Sequence, residues 1–178
     1  MILFLAYVLD VGKYIRKLDE PQSGFHIKYK VGVSKFGRGI FAEEDITEGT
    51  LVWSGVYGRN IRRFINEDEV RLWLSEMPNN KVRKEWLQFP IVFDGGFELD
   101  LDDGRFINHS YEPNIGYPSI EDNRGFALRD IKQGEELYEN YNNYEPKLSP
   151  ASILVLSWVV KIYAEYGIDE SYREEKET

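Results

Sequence analysis

From His26 to Val33 apolar and polar residues alternate, with Ile27, Tyr29, Val31 and Val33 on one side and Lys28, Lys30 and Gly32 on the other. A period of two predicts a half-buried strand. Ile40-Phe41-Ala42 and Thr50-Leu51-Val52-Trp53 predict two more short strands, joined by the turn-rich run 43–49. Leu87 to Phe93 predicts another before the turn Asp94-Gly95-Gly96, and Gly125 to Ile131 a further one before the turn Lys132-Gln133-Gly134. The period changes after Asn66. Val70, Trp73, Leu74 and Met77 fall at i, i+3, i+4 and i+7 behind an Asn66 cap with Glu69 three residues on, which predicts one amphipathic helix ended by Pro78. A second helix is predicted from Ser149-Pro150 to Tyr166, with Gly167 just past its end. Ile153 to Val160 is apolar except at Ser157, so this helix is expected to be buried on more than one face or to form an interface, a homodimer contact included.

The apolar run Ile2 to Leu9 is too short to span a bilayer and is read as a packing segment. With Val11, Tyr14, Ile15 and Leu18 it could continue as an amphipathic helix bearing Lys13, Arg16 and Lys17, which leaves membrane-surface contact as the alternative. Asp19 to Gly24 is a turn-rich break. The expected organisation is an N-terminal packing segment 1–26, one domain over 27–145 with a variable insert at about 56–99, and a C-terminal helix with an acidic tail over 146–178.

Composition narrows the chemistry. A chain of 178 residues with 15% aromatic content can bury a core, and the Tyr and Phe content favours a mainly β fold with a few helices. Zero cysteines exclude disulfides, thiolate catalysis and cysteine-bound zinc, fit a reducing intracellular setting, and leave two histidines, so no metal site is expected. A net charge of −9 disfavours nucleic acid and favours a basic peptide or protein partner. Asp94, Glu98, Asp100, Asp102 and Asp103 form an acidic run that reads either as a rim steering such a partner or as a solvated loop.

Three motifs occur in order: Gly37-Arg38-Gly39-Ile40-Phe41-Ala42, then Arg105-Phe106-Ile107-Asn108-His109-Ser110-Tyr111-Glu112-Pro113-Asn114, then Gly134-Glu135-Glu136-Leu137-Tyr138-Glu139-Asn140-Tyr141. Two glycines beside a strand mostly serve a turn, a lone Asn-His pair mostly caps one, and tyrosines mostly pack. Together the three motifs resemble the SET domain family of protein lysine methyltransferases that use S-adenosylmethionine, over roughly residues 27–145. The resemblance implies a β-clip fold with a C-terminal pseudoknot, and a cofactor site drawn from Phe36, Gly37, Arg38, Gly39, Arg105, Phe106, Asn108, His109 and Tyr141. It implies Tyr141 as the catalytic residue and Trp53, Tyr138 and Glu139 as walls of the substrate channel. The implied reaction is methyl transfer to a lysine of a protein or peptide substrate, possible histone substrates included.

Departures from the family pattern carry expectations of their own. Tyr111 stands where many members have Cys, and no cysteine-rich segment follows Tyr141, so no zinc-bound lid forms and the helix of 149–166 is expected to close the site. Trp53 replaces a tyrosine, exchanging a phenol for an indole N–H that either lines the channel or packs in the core. Glu139 replaces an aromatic residue. It could stabilise the substrate ammonium, accept its proton, or point outward with Tyr138 filling the wall. The alternative function is a weakened SET-like module that binds basic peptides without turnover.

Overall fold

Asn66 caps the first helix, α1 (Glu67–Ser75), where its side-chain oxygen accepts from the Glu69 amide at 2.9 Å. Glu69 answers one residue further out than a capping box requires, accepting from the Ile65 amide at 3.2 Å. The last helix, α3 (Pro150–Tyr166), stops at Gly167 with φ 60°, where the Ile168 amide donates to Tyr163 and the Gly167 amide to Ala164, the two bonds of a Schellman ending. This computed structural model describes residues 23–93, 96–119, 122–144 and 150–168. The N-terminal segment through Gln22 and the acidic tail from Asp169 lie outside them, as does the Ser149 cap.

The described residues form four small sheets. Strands β1 (Tyr29–Ser34) and β2 (Gly37–Ala42) make an antiparallel hairpin. β3 (Leu51–Ser54), β9 (Arg124–Ala127) and β8 (Ile115–Gly116) form an antiparallel sheet in that order. β4 (Ile61–Phe64), β6 (Gly96–Asp100) and β5 (Ile91–Phe93) form another. The fourth is the short parallel pair of β7 (Asn108–His109) with β10 (Tyr138–Glu139). A second helix, α2 (Asn80–Trp86), and two 3₁₀ turns, η1 (Asp103–Phe106) and η2 (Tyr141–Tyr144), complete the described elements.

β4, β6 and α2 depart from the expected elements. The run 87–93 contributes only the three residues of β5 to a sheet, because Leu87 ends α2 and is fully buried beneath it. Of the acidic run, Glu98 and Asp100 stand in β6, whose Phe97 and Leu99 fill the core, Asp102 and Asp103 follow at η1, and Asp94 lies outside the described residues. Glu98 and Asp102 are buried, Glu98 against Arg63 at 3.0 Å.

Two cores result. One lies between β4, β6, α1 and α3, where Phe64, Trp73, Phe97, Trp158, Val159 and Ile162 pack together. The other lies under β2, β3, β8 and β9 and includes Ile40, Val52, Trp53, Phe106, Ile115 and Leu137. Val155, Trp158, Val159, Ile162 and Tyr163 of α3 are buried within the chain, whereas Val160 of the same helix is 47% exposed. α3 closes the core of the insert, and removing it would strip that core of one wall.

Candidate functional site

The backbone pairing of β7 with β10 brings the second and third motifs side by side, with Tyr138 beside Asn108 and Glu139 beside His109. Asn114 locks the arrangement. It is 1% exposed, its carboxamide accepts from the Tyr138 amide at 2.8 Å and donates to the Glu136 carbonyl at 2.8 Å, and its own amide donates to the Tyr138 carbonyl. On the other side the Leu137 amide donates to Ile40 and the Ala42 amide to Glu135, which ties the first motif to the third. Glu136 adds a side-chain link: its carboxylate accepts from Asn108 Nδ2 at 2.8 Å and from the Tyr138 hydroxyl at 2.7 Å. Burial, followed by the bond to Glu136 and its charge, pushes the Tyr138 phenol up to about 12, so it stays a neutral donor near pH 7.

These links open a cleft of about 210 Å³ lined by Phe36, Gly37 and Arg38 from the hairpin, Gln88 and Phe89 after α2, Arg105, Phe106 and Asn108 from the second motif, and Tyr141. Seven of the nine residues expected at a cofactor site line it; His109 and Gly39 stand behind. A Cβ on Gly39 would meet Glu136 Oε1 at 2.3 Å, so a side chain there would have to push the carboxylate off Asn108 and Tyr138. His109 is 8% exposed and acts through its ring: Nδ1 accepts from the Tyr141 amide at 3.0 Å, which leaves the proton of a neutral ring on Nε2. The Tyr141 hydroxyl donates to the Ile107 carbonyl at 2.7 Å, so the ring is held at both ends.

The cations in the cleft differ in freedom. Arg105 lies over Trp86 and Phe106 at 4.5 and 4.3 Å and donates to the Leu101 and Asp102 carbonyls. Burial, partly offset by Asp103, pulls its pKa down, yet an Arg so placed remains cationic. Arg38 also lies over Phe106, at 4.0 Å, and pairs with Glu85 at 2.8 Å, both partners being exposed. Asn108 Nδ2 is engaged twice, by the Arg38 carbonyl and by Glu136, which leaves the carboxamide oxygen as its acceptor toward a ligand.

The expected channel residues sit outside this cleft lining. Trp53 is 4% exposed in the core, with Nε1 donating to both oxygens of Asp102 at 3.1 and 3.3 Å. Its indole N–H is therefore satisfied within the fold. Tyr138 and Glu139 leave opposite faces of β10. Glu139 is half-buried and close enough to Asp100 to act on its charge. Asp100 is held well above the usual carboxylate range by burial and by Asp102, Glu139 and Glu98, with Arg105 opposing them.

A raised carboxyl binds its proton more tightly folded than unfolded, so ionised Asp100 costs stability as pH rises from the unfolded pKa of about 4 through the folded one. Asp100→Asn is expected to raise Tm near neutral pH and to give no gain below about pH 4 in thermal melts. An equal gain at both would contradict this account.

Gln88, Phe89, Asn114 and Glu136 were not assigned site roles from sequence. Asn114 and Glu136 stand inside the quoted motifs, which was a usable signal; Gln88 and Phe89 carry no local signature and are brought in by α2.

Threaded strands around a cleft lined by a fixed tyrosine, a carboxamide and two arginines define a mainly β domain of the clip type. The SET domain model matches residues 37–142, more than half of the chain. This chain belongs to the SET domain family of protein lysine methyltransferases. A search of curated proteins finds no match. Among solved structures it is similar to a Plasmodium falciparum protein named as a candidate histone methyltransferase (20% identity, 66% of this chain and 95% of that chain, TM-score 0.43). It is also similar to the Neurospora histone lysine methyltransferase DIM-5 (21% identity, 71% and 55%, TM-score 0.44). A Chaetomium thermophilum Polycomb Repressive Complex 2 chain matches at 28% identity over 68% of this chain and 16% of that one, TM-score 0.46. Family membership rests on the domain match.

Proposed function

We propose that this protein is an S-adenosylmethionine-dependent protein-lysine N-methyltransferase acting on a basic protein or peptide. One observation carries the reading: threading of β10 beside β7 puts Tyr141, Asn108, Arg38 and Arg105 on one cleft. The residues present suit the cofactor. An acceptor oxygen on Asn108 matches an α-ammonium, Arg38 matches a carboxylate once it leaves Glu85, and the rings of Phe36 and Phe89 supply apolar wall. The cleft is smaller than the ~300 Å³ at which pockets for drug-sized ligands begin, so a ligand of this length extends over the exposed rim at Phe36, Arg38 and Gln88.

When bound, S-adenosylmethionine supplies a methyl on a sulfonium, which a neutral lysine amine takes by in-line displacement. This chain's part is alignment. The Tyr141 hydroxyl donates its hydrogen bond to the Ile107 carbonyl, which leaves its oxygen lone pairs to accept from the incoming amine and align it. His109 fixes the backbone of Tyr141 and Asn114 fixes the strand before it. The net charge of −9 favours encounter with basic substrates.

Transfer of labelled methyl from S-adenosylmethionine to a mixture of basic proteins, with the modified residue located by mass spectrometry, tests the reading. Label on lysine is expected. Cofactor binding without any transfer would instead support the binding-module alternative.

A further inference from the structure

Strand pairing in the β1–β2 hairpin fixes which side of it faces the core. Val31 stands opposite Ile40 and Val33 opposite Arg38, and directly opposed residues of an antiparallel pair share a face. Tyr29, Val31 and Val33 therefore lie on the side that buries Ile40 and Ala42. Near Tyr29 that side is covered; toward the tip it runs off the edge of the core. Val31 is 39% exposed, Val33 92% and Phe36, in the turn, 41%. The other side of β1 presents Lys30 to water and carries the half-buried Gly32 and Ser34, Gly32 against the Phe41 ring. A row of valines continuous with a core face has the form of a surface awaiting an apolar partner.

We propose that the partner is this chain's own residues 1–22, docked by their apolar side chains along Tyr29, Val31 and Val33. Composition selects the segment. Outside the described residues, only this stretch carries an apolar run, Ile2 to Leu9, whereas 169–178 holds five acids and 145–149 is five residues long. Position agrees. The chain enters the described fold at Ser23, whose hydroxyl lies 3.2 Å from the Tyr29 hydroxyl, and the Phe25 ring lies 4.0 Å from that of Tyr29. The segment thus starts beside the first residue of the row, and Val33 is roughly 13 Å further along the strand, well within its reach. Docking there braces the hairpin tip, whose Phe36, Gly37 and Arg38 line the cleft.

Hydrogen exchange read by mass spectrometry on the full chain tests this, run at several protein concentrations with light scattering, and repeated with phosphatidylserine vesicles. Amides of residues 2–18 should exchange at least about tenfold more slowly than free peptide in a monomer at every concentration. Val33→Asp and, separately, Leu5→Asp should each remove that protection and quicken exchange at 36–38, while protection within α3 is unchanged and shows the fold intact. Unprotected residues 2–18 in the wild type, or protection indifferent to Val33→Asp, would overturn the proposal. So would protection that appears only with a dimer's mass, which assigns the row to a second copy, or only on vesicles, which assigns the segment to a lipid surface.

Discussion

Tyr141→Phe is expected to lower the rate of methyl transfer by about a hundredfold or more while leaving S-adenosylmethionine affinity within a few-fold of wild type. The ring itself stays: it packs at 5.3 Å from His109, and the backbone amide that His109 accepts is untouched. Only the hydroxyl goes, and with it the bond to Ile107 and the oxygen that aligns the incoming amine. A hundredfold loss is about 2.7 kcal/mol of transition-state stabilisation, the scale of one preorganised polar group. Single-turnover rates with labelled cofactor separate that loss from binding. A wild-type rate would remove Tyr141 from the chemistry; a collapsed affinity with normal single-turnover rate would make it a binding residue only.

The second large effect falls on stability. Asp102 is 2% exposed, and its carboxylate accepts from the Gly24 amide at 2.5 Å, Trp53 Nε1 at 3.1 Å, Asn60 Nδ2 at 2.9 Å and the Gly104 amide at 2.9 Å. It joins the start of the described chain, β3, the β4 entry and η1. Asp102→Ala leaves four donors facing a cavity, and breaking a buried charged network of this kind costs about 3–5 kcal/mol. For a chain of this length that is a fall in Tm of roughly 10 °C. Asp103, half-buried beside it and bonded to Tyr29 at 3.2 Å, serves as the control, with a loss under about 1 kcal/mol. Equal melting of the two variants would deny Asp102 this role.

Local chemistry made α1 and α3 legible. Asn66 with Glu69, and Gly167 after Tyr166, state their ends in the sequence because caps depend on a few adjacent residues. The pairing of β7 with β10 was legible only through the resemblance of the motifs, since a parallel pair two residues long has no periodic signal of its own. β6 was readable and was passed over. Phe97, Leu99 and Leu101 alternate with Glu98, Asp100 and Asp102 at period two, but five acids in ten residues suggest solvent unless Arg63, Trp53 and Asn60 are known to meet them. In β1 the period was right and the burial was not, because alternation reports a shared face but not whether anything covers it. Gln88 and Phe89 reach the cleft through α2, a placement set by tertiary packing that neighbouring residues do not encode. Of the site, Phe36 to Arg38, Arg105, Phe106, Asn108 and Tyr141 were assigned in advance, and they line one cleft.

The central claim is that this cleft holds S-adenosylmethionine. Titration calorimetry of the full chain with S-adenosylmethionine addresses it directly, with Asn108→Ala as the paired variant. The account predicts one site per chain in the wild type and at least about a tenfold weaker one in the variant, the scale of a lost hydrogen bond to a charged group. Absence of binding heat in the wild type at several temperatures, or equal affinity in the two proteins, would contradict it.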